Sequence, residues 1–234
     1  IGKTLLNIIS KDKKSFDVQF LSAQKNYKEL IKQAIKFNVK NIVISNHKYY
    51  NLAKLKIKNE NINLYNNFDV FNKIFKKKLD YTMSAIIGID GLLPTLKIIK
   101  HTNKIAIANK ESIICAWSLI KKKLNKHKTT FIPVDSEHFS TWYALNNNSQ
   151  SNIQKIYLTA SGGPLLNVPV KKFDKLNISQ ILRHPNWNMG NKISIDSSTM
   201  MNKVFEVIEA KKIFNIDYKK ILIIIHPKSY VHSI

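Results

Sequence analysis

From Gly2 to about Pro133, short apolar runs take turns with amphipathic segments, and this alternation limits the possible folds more than any other feature of the chain. Apolar runs bounded by turn residues suit strands, whereas apolar residues spaced three and four apart suit helices. Strands are expected at 17–21, 41–45, 61–64, 82–87, 104–108 and 130–134. Helices are expected at 3–10, 27–37, 48–57, 68–76, 91–100 and 111–125. Such regular exchange is the pattern of crossover helices around a parallel sheet, giving an α/β fold with one domain over 1–133.

From residue 134 to 234 the character changes, and a second, mixed α/β domain is expected. TASGGPLLNVP (159–169) follows the apolar run 153–158 and reads as a strand feeding a loop with exposed backbone. RHPNWNMG (183–190) has no periodicity but carries bulky apolar groups, as a loop that closes over a ligand does. The patches 121–128 and 146–152 read as loops or solvated helix ends, and 221–225 reads as a last strand with no closing element after it.

Composition narrows the function classes. Lys+Arg 38 against Asp+Glu 15 gives a formal net charge of +23, which attracts nucleic acid, anionic membranes and phosphorylated metabolites alike. The lysines are spread along the whole chain with abundant Ile and Asn, and aromatics do not interleave with them as in single-strand binders. That spread fits a coding bias better than a nucleic-acid footprint. Cys115 is the single cysteine, so the chain can form no internal disulfide framework or thiolate metal site. No apolar run approaches the roughly 20 residues of a membrane span. IGKTLLNII lacks a charged leader with a cleavage site, and its abrupt helical pattern points to a piece upstream.

KISIDSSTMMNKVFEVIEA (192–210) joins a polar constellation to a sided helix. Ile193 and Ile195 alternate with Ser194 and Asp196 in the period of a half-buried strand, after which the period becomes helical. Thr199, Asn202, Lys203, Glu206 and Glu209 share one side; Met200, Met201, Val204, Phe205, Val207 and Ile208 share the other, expected to be the packed one. Asp196, Ser197, Ser198 and Thr199 are placed to cap that helix. Hydroxyls and a lysine at a helix start suit a phosphate, and Glu206, one turn after Asn202, suits a cation beside it. A capped amphipathic helix with a solvated face is the plainer alternative.

PVDSEH (133–138) sets Asp135 and Glu137 two apart at a strand end, where the two-residue period points both carboxylates the same way. Hard oxygen ligands of this kind suit Mg²⁺ or Mn²⁺, although Asp135 or Ser136 could equally cap a helix. ANKES (108–112) follows a strand at the sheet edge where open α/β folds bind ligands. Asn109 and Glu111 fit a helix start, whereas Lys110 is not explained by capping. His184 lies in the expected lid, and His226 and His232 flank the last strand without a clear role.

ANKES, VDSEH, TASGGP, HPNWNMG, DSSTMMNK with EVIEA, and HPKSYVHS occur in one order along the chain. In that order they resemble the 1-deoxy-D-xylulose 5-phosphate reductoisomerase family. The resemblance implies a Rossmann-like NADPH-binding domain at 1–133 and a catalytic domain at 134–234, without the start of the cofactor loop and without the family's C-terminal helical domain. It implies isomerisation of 1-deoxy-D-xylulose 5-phosphate and NADPH-dependent reduction to 2-C-methyl-D-erythritol 4-phosphate, for isoprenoid synthesis. It further implies a homodimer with no nucleic-acid or membrane partner, in a bacterial cytoplasm, or in a plastid-type organelle given an upstream targeting peptide.

Carried over by motif, Asp135, Glu137 and Glu206 hold the divalent metal, Mg²⁺ or Mn²⁺ with Co²⁺ as a further candidate, and join Lys110 and His184 as the catalytic set. Ser161, Ser197, Asn202 and Lys203 take the phosphate with His184, Ser136 and Lys110 contact the carbon skeleton, and Trp187 and Met189 cover it. Ile1, Gly2, Lys25, Asn26, Ala85, Asn109, Glu111 and Gly190 face NADPH. Three departures stand out: Gln24 and Val204 replace family glycines, and Phe139-Ser140-Thr141-Trp142 replaces the usual helix after VDSEH. A nucleic-acid-binding protein and a decayed relative without activity are the competing expectations.

Overall fold

The computed structural model describes residues 1–57, 61–145, 153–183 and 190–234. They divide into two units, one of residues 1–109 with 119–131 and one of residues 110–118 with 132–234.

In the first unit, α1 (Gly2–Ile9) precedes β1 (Phe20–Ala23), α2 (Tyr27–Lys36), β2 (Asn41–Ile44), α3 (His47–Lys56) and β3 (Asn63–Tyr65). The three strands form one sheet in the order β1-β2-β3, parallel throughout, with Phe20 opposite Asn41 and Asn41 opposite Asn63. Asparagine side chains start both crossover helices: Asn26 accepts from the Glu29 N–H at 3.3 Å and Asn46 from the Tyr49 N–H at 3.4 Å. Ile42, Val43 and Ile44 are all buried, as in a central parallel strand covered on both faces, and the core packs Ile42 and Ile44 with Leu30, Ile31, Ala34 and Ala53.

The chain continues through α4 (Phe71–Ile74), β4 (Leu79–Ser84), α5 (Leu92–Ile98), β5 (Thr102–Ile107), α6 (Lys110–His127) and β6 (Thr130–Pro133). A second sheet has the order β4-β5-β6, with β4 and β5 parallel and Ser84 opposite Ile107. The Thr129 hydroxyl is shared between the carbonyls of Ile99 at 2.8 Å and Thr102 at 2.9 Å, which ties the end of α6 to β5. Helix α6 leaves helical geometry at Ala116 (φ −140°, ψ 28°), and residues 110–118 belong with the second unit.

The second unit adds α7 (Ser136–Leu145), β7 (Ile156–Ala160), α8 (Ile178–Leu182), α9 (Asn191–Ser198), α10 (Met201–Phe214) and β8 (Ile221–Ile225). Parallel strands β7 and β8 pair from Ile156–Ile221 to Ala160–Ile225. Ile156, Leu158, Ala210, Phe214, Ile216 and Ile221 form the core, with Trp142 and Leu145 of α7 against it. Asn215 in the left-handed region (φ 53°) ends α10, a conformation asparagine adopts more readily than most residues.

The alternation of elements is as expected, and the fold is a parallel-sheet α/β fold. Four local expectations are corrected. The segment at 193–196 is helical, not a strand: Lys192 pairs with Asp196 at i,i+4, and Ser194 and Ser198, also i,i+4, form the buried face. The next helix starts at Met201 after the left-handed Met200 (φ 61°), with no side-chain cap. The Ser198 hydroxyl donates backwards to the Ile195 carbonyl instead, at 2.7 Å. The expected helix at 68–76 is a 3₁₀ turn and the short α4, because Phe75 turns extended and its ring packs on Phe20 at 6.0 Å. Finally, the tail does close the second unit: the Thr159 N–H donates to the His232 carbonyl at 3.1 Å, and Leu158 bridges Ser233 antiparallel.

Candidate active site

The polar side of α10 is the buried one. Lys203, Glu206 and Glu209 are 5%, 2% and 1% exposed, while Met201 and Val204 on the supposedly packed side are 43% and 46% exposed. For these residues the sidedness read from the sequence is reversed, although Val207 packs on the core as expected and Thr199 is exposed. Burial of two carboxylates and an ammonium is tolerable only where opposite charges and hydrogen bonds meet them, so α10 faces a polar centre. Val204, expected as a departure that hinders a close backbone approach, is exposed on the outer side of α10.

That centre is assembled from α10, the β6–α7 corner and the start of α6. Asp135 sits between β6 and α7, where its Oδ1 accepts from the Glu137 N–H at 3.2 Å, so it caps the helix while presenting its other oxygen. Glu137 lies in the first turn of α7, and the two carboxylates therefore converge at a strand-to-helix corner rather than along one extended strand. Lys110 Nζ donates to Asp135 Oδ2 at 3.1 Å and to Asn202 Oδ1 at 2.8 Å, and stands 3.7 Å from Glu206 Oε1. Lys203 Nζ lies 3.3 Å from Glu137 Oε1 and contacts Glu206 Oε2 and the Thr159 carbonyl. Asn202 Nδ2 donates to Glu206 Oε1.

The charges are strongly coupled. Burial first, then repulsion from Asp135 and Glu137, pushes Glu206 up to about 7 against the pull of Lys203 and Lys110. Burial also acts to raise Asp135, but hydrogen bonding with His138 and the Lys110 charge hold it well below the usual carboxylate range. Burial would lower Lys110, yet Asp135, Glu206 and Glu209 together hold its pKa above the ordinary lysine value.

Carboxylate oxygens of Asp135, Glu137 and Glu206 all come within 4.8 Å of one another. Like charges crowded this closely favour a shared cation, and an all-oxygen donor set suits Mg²⁺ or Mn²⁺, so the residues fit a divalent metal. The ligand atoms of Asp135, His138 and Glu209 also lie within 4.8 Å of one another.

A cavity of about 380 Å³ opens beside these groups, lined by Asp135, Ser136, Glu137, Ser161, Ser197, Asn202, Lys203 and Glu206. The loop after β7 supplies its backbone wall through Gly162 and Gly163, at φ 87° and 69°, where L side chains are strained. A Cβ on Gly163 would stand 2.3 Å from the Ser197 carbonyl, so only glycine lets this loop reach α9. The Ser161 Oγ accepts from the Gly163 N–H at 3.2 Å. Phe139-Ser140-Thr141-Trp142 is accommodated beneath Glu137: Thr141 donates to the Glu137 carbonyl at 2.9 Å and Trp142 joins the core.

The residues expected to face a nucleotide are less gathered. Gly2, Asn26 and Ala85 line one large cleft in the first unit, of about 1320 Å³, between the open edges of β1 and β4. Ile1 is 63% exposed at the start of α1, and Lys25 is exposed beside the Asn26 cap. Gln24, the departure expected near the cofactor, donates to Asp90 Oδ2 at 2.7 Å. Asn109 is buried, and its amide donates to the carbonyls of Ile86 and Gly88, holding the loop after β4. Glu111 lies in the second unit, where Lys192 Nζ is 2.6 Å from its Oε1. Burial would raise the Glu111 pKa, but Lys192 holds it below its ordinary value. Gly190 precedes α9, its carbonyl accepting from the Ser194 N–H at 3.1 Å. His184, Trp187 and Met189 lie outside the described residues, as does the expected loop at 146–152.

Sequence reasoning gave no role to four residues that the structure puts here. His138 and Glu209 lie behind the carboxylates, His232 Nδ1 stands 3.8 Å from Glu137 Oε1, and Ser229 lines the cavity. The spacing of His138, three after Asp135, and of Glu209, three after Glu206, was the available signal.

The fold and the centre together define an α/β protein with a carboxylate and lysine site suited to a divalent cation and an anionic ligand. The family model for 1-deoxy-D-xylulose 5-phosphate reductoisomerase matches residues 1–117, and that for the C-terminal domain of the same enzyme matches residues 131–214. The chain belongs to the 1-deoxy-D-xylulose 5-phosphate reductoisomerase family. It is 58% identical to the reductoisomerase of Pelagibacter ubique (strain HTCC1062), over 100% of this chain and 61% of that protein. It is 38% identical to that of Clostridium tetani, over 100% of this chain and 62% of that protein. The reductoisomerase of Zymomonas mobilis, solved with NADPH, matches with a TM-score of 0.87 and 34% identity, over 99% of this chain and 60% of the other. A reductoisomerase solved with NADPH, fosmidomycin and magnesium matches with a TM-score of 0.90 and 32% identity, over 99% and 60%. The chain thus spans about three fifths of these relatives, 61% of the Pelagibacter protein. Among the described residues, no helix is long and apolar enough to cross a membrane.

Proposed function

We propose that the full-length protein isomerises 1-deoxy-D-xylulose 5-phosphate and reduces the product with NADPH to 2-C-methyl-D-erythritol 4-phosphate, using Mg²⁺ or Mn²⁺. The observation that carries this reading is the convergence of Asp135, Glu137 and Glu206 within 4.8 Å, with Lys110 and Lys203 among them, on the wall of one polar cavity. The relatives solved with NADPH and with magnesium support the same pair of cofactors.

A divalent cation bound by the three carboxylates would polarise the ketone and the neighbouring hydroxyl of the substrate. NADPH would supply the hydride for the reduction. The remaining work falls to side chains already in place. Lys110 holds Asp135 and Asn202 at fixed spacing, which orients one ligand and one wall of the cavity. Ser161, Ser197, Asn202 and Lys203 surround the part of the cavity proposed for the phosphate, where α9 and the glycine loop meet. Phosphate held away from the reacting carbons supplies binding free energy for positioning them.

In the first unit, we assign NADPH to the cleft that Gly2, Asn26 and Ala85 line. That cleft runs along β1 and β4, the edge strands of the two sheets. The test is NADPH oxidation by the full-length gene product with 1-deoxy-D-xylulose 5-phosphate, with and without Mg²⁺. Oxidation that needs both substrate and metal is expected, and its absence sinks the reading.

A further inference from the structure

Behind the three carboxylates lies a group that the proposed reaction does not use. Glu209 is 1% exposed and His138 0% exposed, and both face inward from neighbouring helices α10 and α7. His138 Nε2 meets the main-chain carbonyl of Glu206 at 2.9 Å. A carbonyl oxygen only accepts, so Nε2 carries the hydrogen, which fixes one side of the ring. The other nitrogen, Nδ1, lies 3.2 Å from Asp135 Oδ1 and 3.9 Å from Glu209 Oε2. The ring edge is thus shared between two carboxylates, Asp135 being the closer. Phe214 stacks on the same ring with centroids 6.3 Å apart and leaves it little freedom to turn.

Packing alone does not call for a carboxylate at position 209. Its neighbour in sequence, Ala210, and Phe214 one turn on belong to the apolar core, and burying a carboxyl group there is unfavourable unless a partner offsets it. The cationic groups that the structure sets near Glu209 are the His138 edge, with Nδ1 at 3.9 Å, and Lys110. The His138 ring in turn touches two of the three proposed cation ligands, Asp135 by its side chain and Glu206 by its main chain.

We propose that Glu209 is a positioning residue of the cation site, holding the His138 ring so that Asp135 and Glu206 keep the spacing a divalent cation requires. The inference rests on the reading that Asp135, Glu137 and Glu206 bind that cation. Outer groups that orient metal ligands in this way commonly change affinity by roughly ten- to a hundredfold when altered.

The test titrates the metal-free, full-length protein with Mn²⁺ and follows the free-ion signal by electron paramagnetic resonance, with no substrate present. Glu209→Gln, which keeps the shape and replaces the carboxyl group with an amide, is expected to weaken Mn²⁺ binding about tenfold or more. His138→Gln is expected to weaken it comparably, and the double variant little further, because both act on one path. Unchanged Mn²⁺ affinity in Glu209→Gln overturns the proposal, as does a double variant whose losses simply add. If Glu209→Gln does not accumulate folded, Glu209→Asp serves, since it draws the carboxyl group back from the His138 edge by one methylene; weakened binding supports the proposal and unchanged binding overturns it. A parent protein that binds no Mn²⁺ overturns the cation reading itself, whereas tight parent binding with insensitive variants overturns only the role of Glu209.

Discussion

Lys110 and Asn202, 92 residues apart in the chain, meet at 2.8 Å, and the same ammonium reaches Asp135 Oδ2 at 3.1 Å. One largely covered lysine, its side chain 12% exposed, therefore holds the start of α6 against both α10 and the β6–α7 corner. Lys110→Met keeps the aliphatic stem but leaves Asp135 and Glu206 without that charge. Breaking a buried pair from one side costs roughly 3 kcal/mol, and denaturant unfolding should show a loss of that order with metal-dependent turnover also falling. Unaltered stability would mean that Lys110 is not the tie.

Glu206→Gln should behave in the opposite way toward stability. Glu206 is buried and repelled by Asp135 and Glu137, so a neutral side chain of the same shape relieves strain in the metal-free protein. Thermal unfolding without metal should be unchanged or shifted upward, while metal-dependent NADPH oxidation is abolished. Activity equal to the parent would remove Glu206 from the cation site.

Lys203→Ala should chiefly raise KM for the phosphorylated substrate, with kcat falling as well if phosphate binding positions the reacting carbons. In the structure Lys203 Nζ is 3.3 Å from Glu137 Oε1, so a further, independent effect on metal affinity is expected. Steady-state kinetics at saturating and limiting Mg²⁺ separate the two.

Gly163→Ala tests the loop after β7. The new methyl would meet the Ser197 carbonyl at 2.3 Å, and φ is already 69°, so the loop and α9 must part. A destabilisation of roughly 1–3 kcal/mol is expected together with a raised substrate KM. An unaffected KM would place the phosphate elsewhere.

Thr129→Val serves as a control away from the cavity. It removes the hydroxyl donated to the Ile99 and Thr102 carbonyls, a change that should cost about 1 kcal/mol in unfolding experiments without altering KM for substrate or metal.

Much of the α/β pattern was legible because local signals agreed with it. Asn26 and Asn46 cap the helices that the apolar spacing marks, and Ile42, Val43 and Ile44 form the buried strand that their run suggests. The motif order also singled out Asp135, Glu137 and Glu206 together. Reading failed where tertiary partners decide. Ile193-Ser194-Ile195-Asp196 has the period of a strand, but the Lys192 pair with Asp196 and the buried Ser194 and Ser198 are helical contacts. The faces of α10 were assigned by hydrophobicity, and only the presence of Lys110, Asp135 and Glu137 opposite makes its charged side the inner one. Glu209 was given no role in the site for the same reason: its partner, His138, lies on another helix.

The most direct measurement of the central claim is the position of Mn²⁺ in crystals of the full-length protein, located by its anomalous scattering. The expected result is one strong peak bonded to oxygens of Asp135, Glu137 and Glu206, displacing the Lys203 ammonium from Glu137. A peak among Asp135, His138 and Glu209 instead, or no peak at any of these carboxylates at saturating Mn²⁺, would contradict the account.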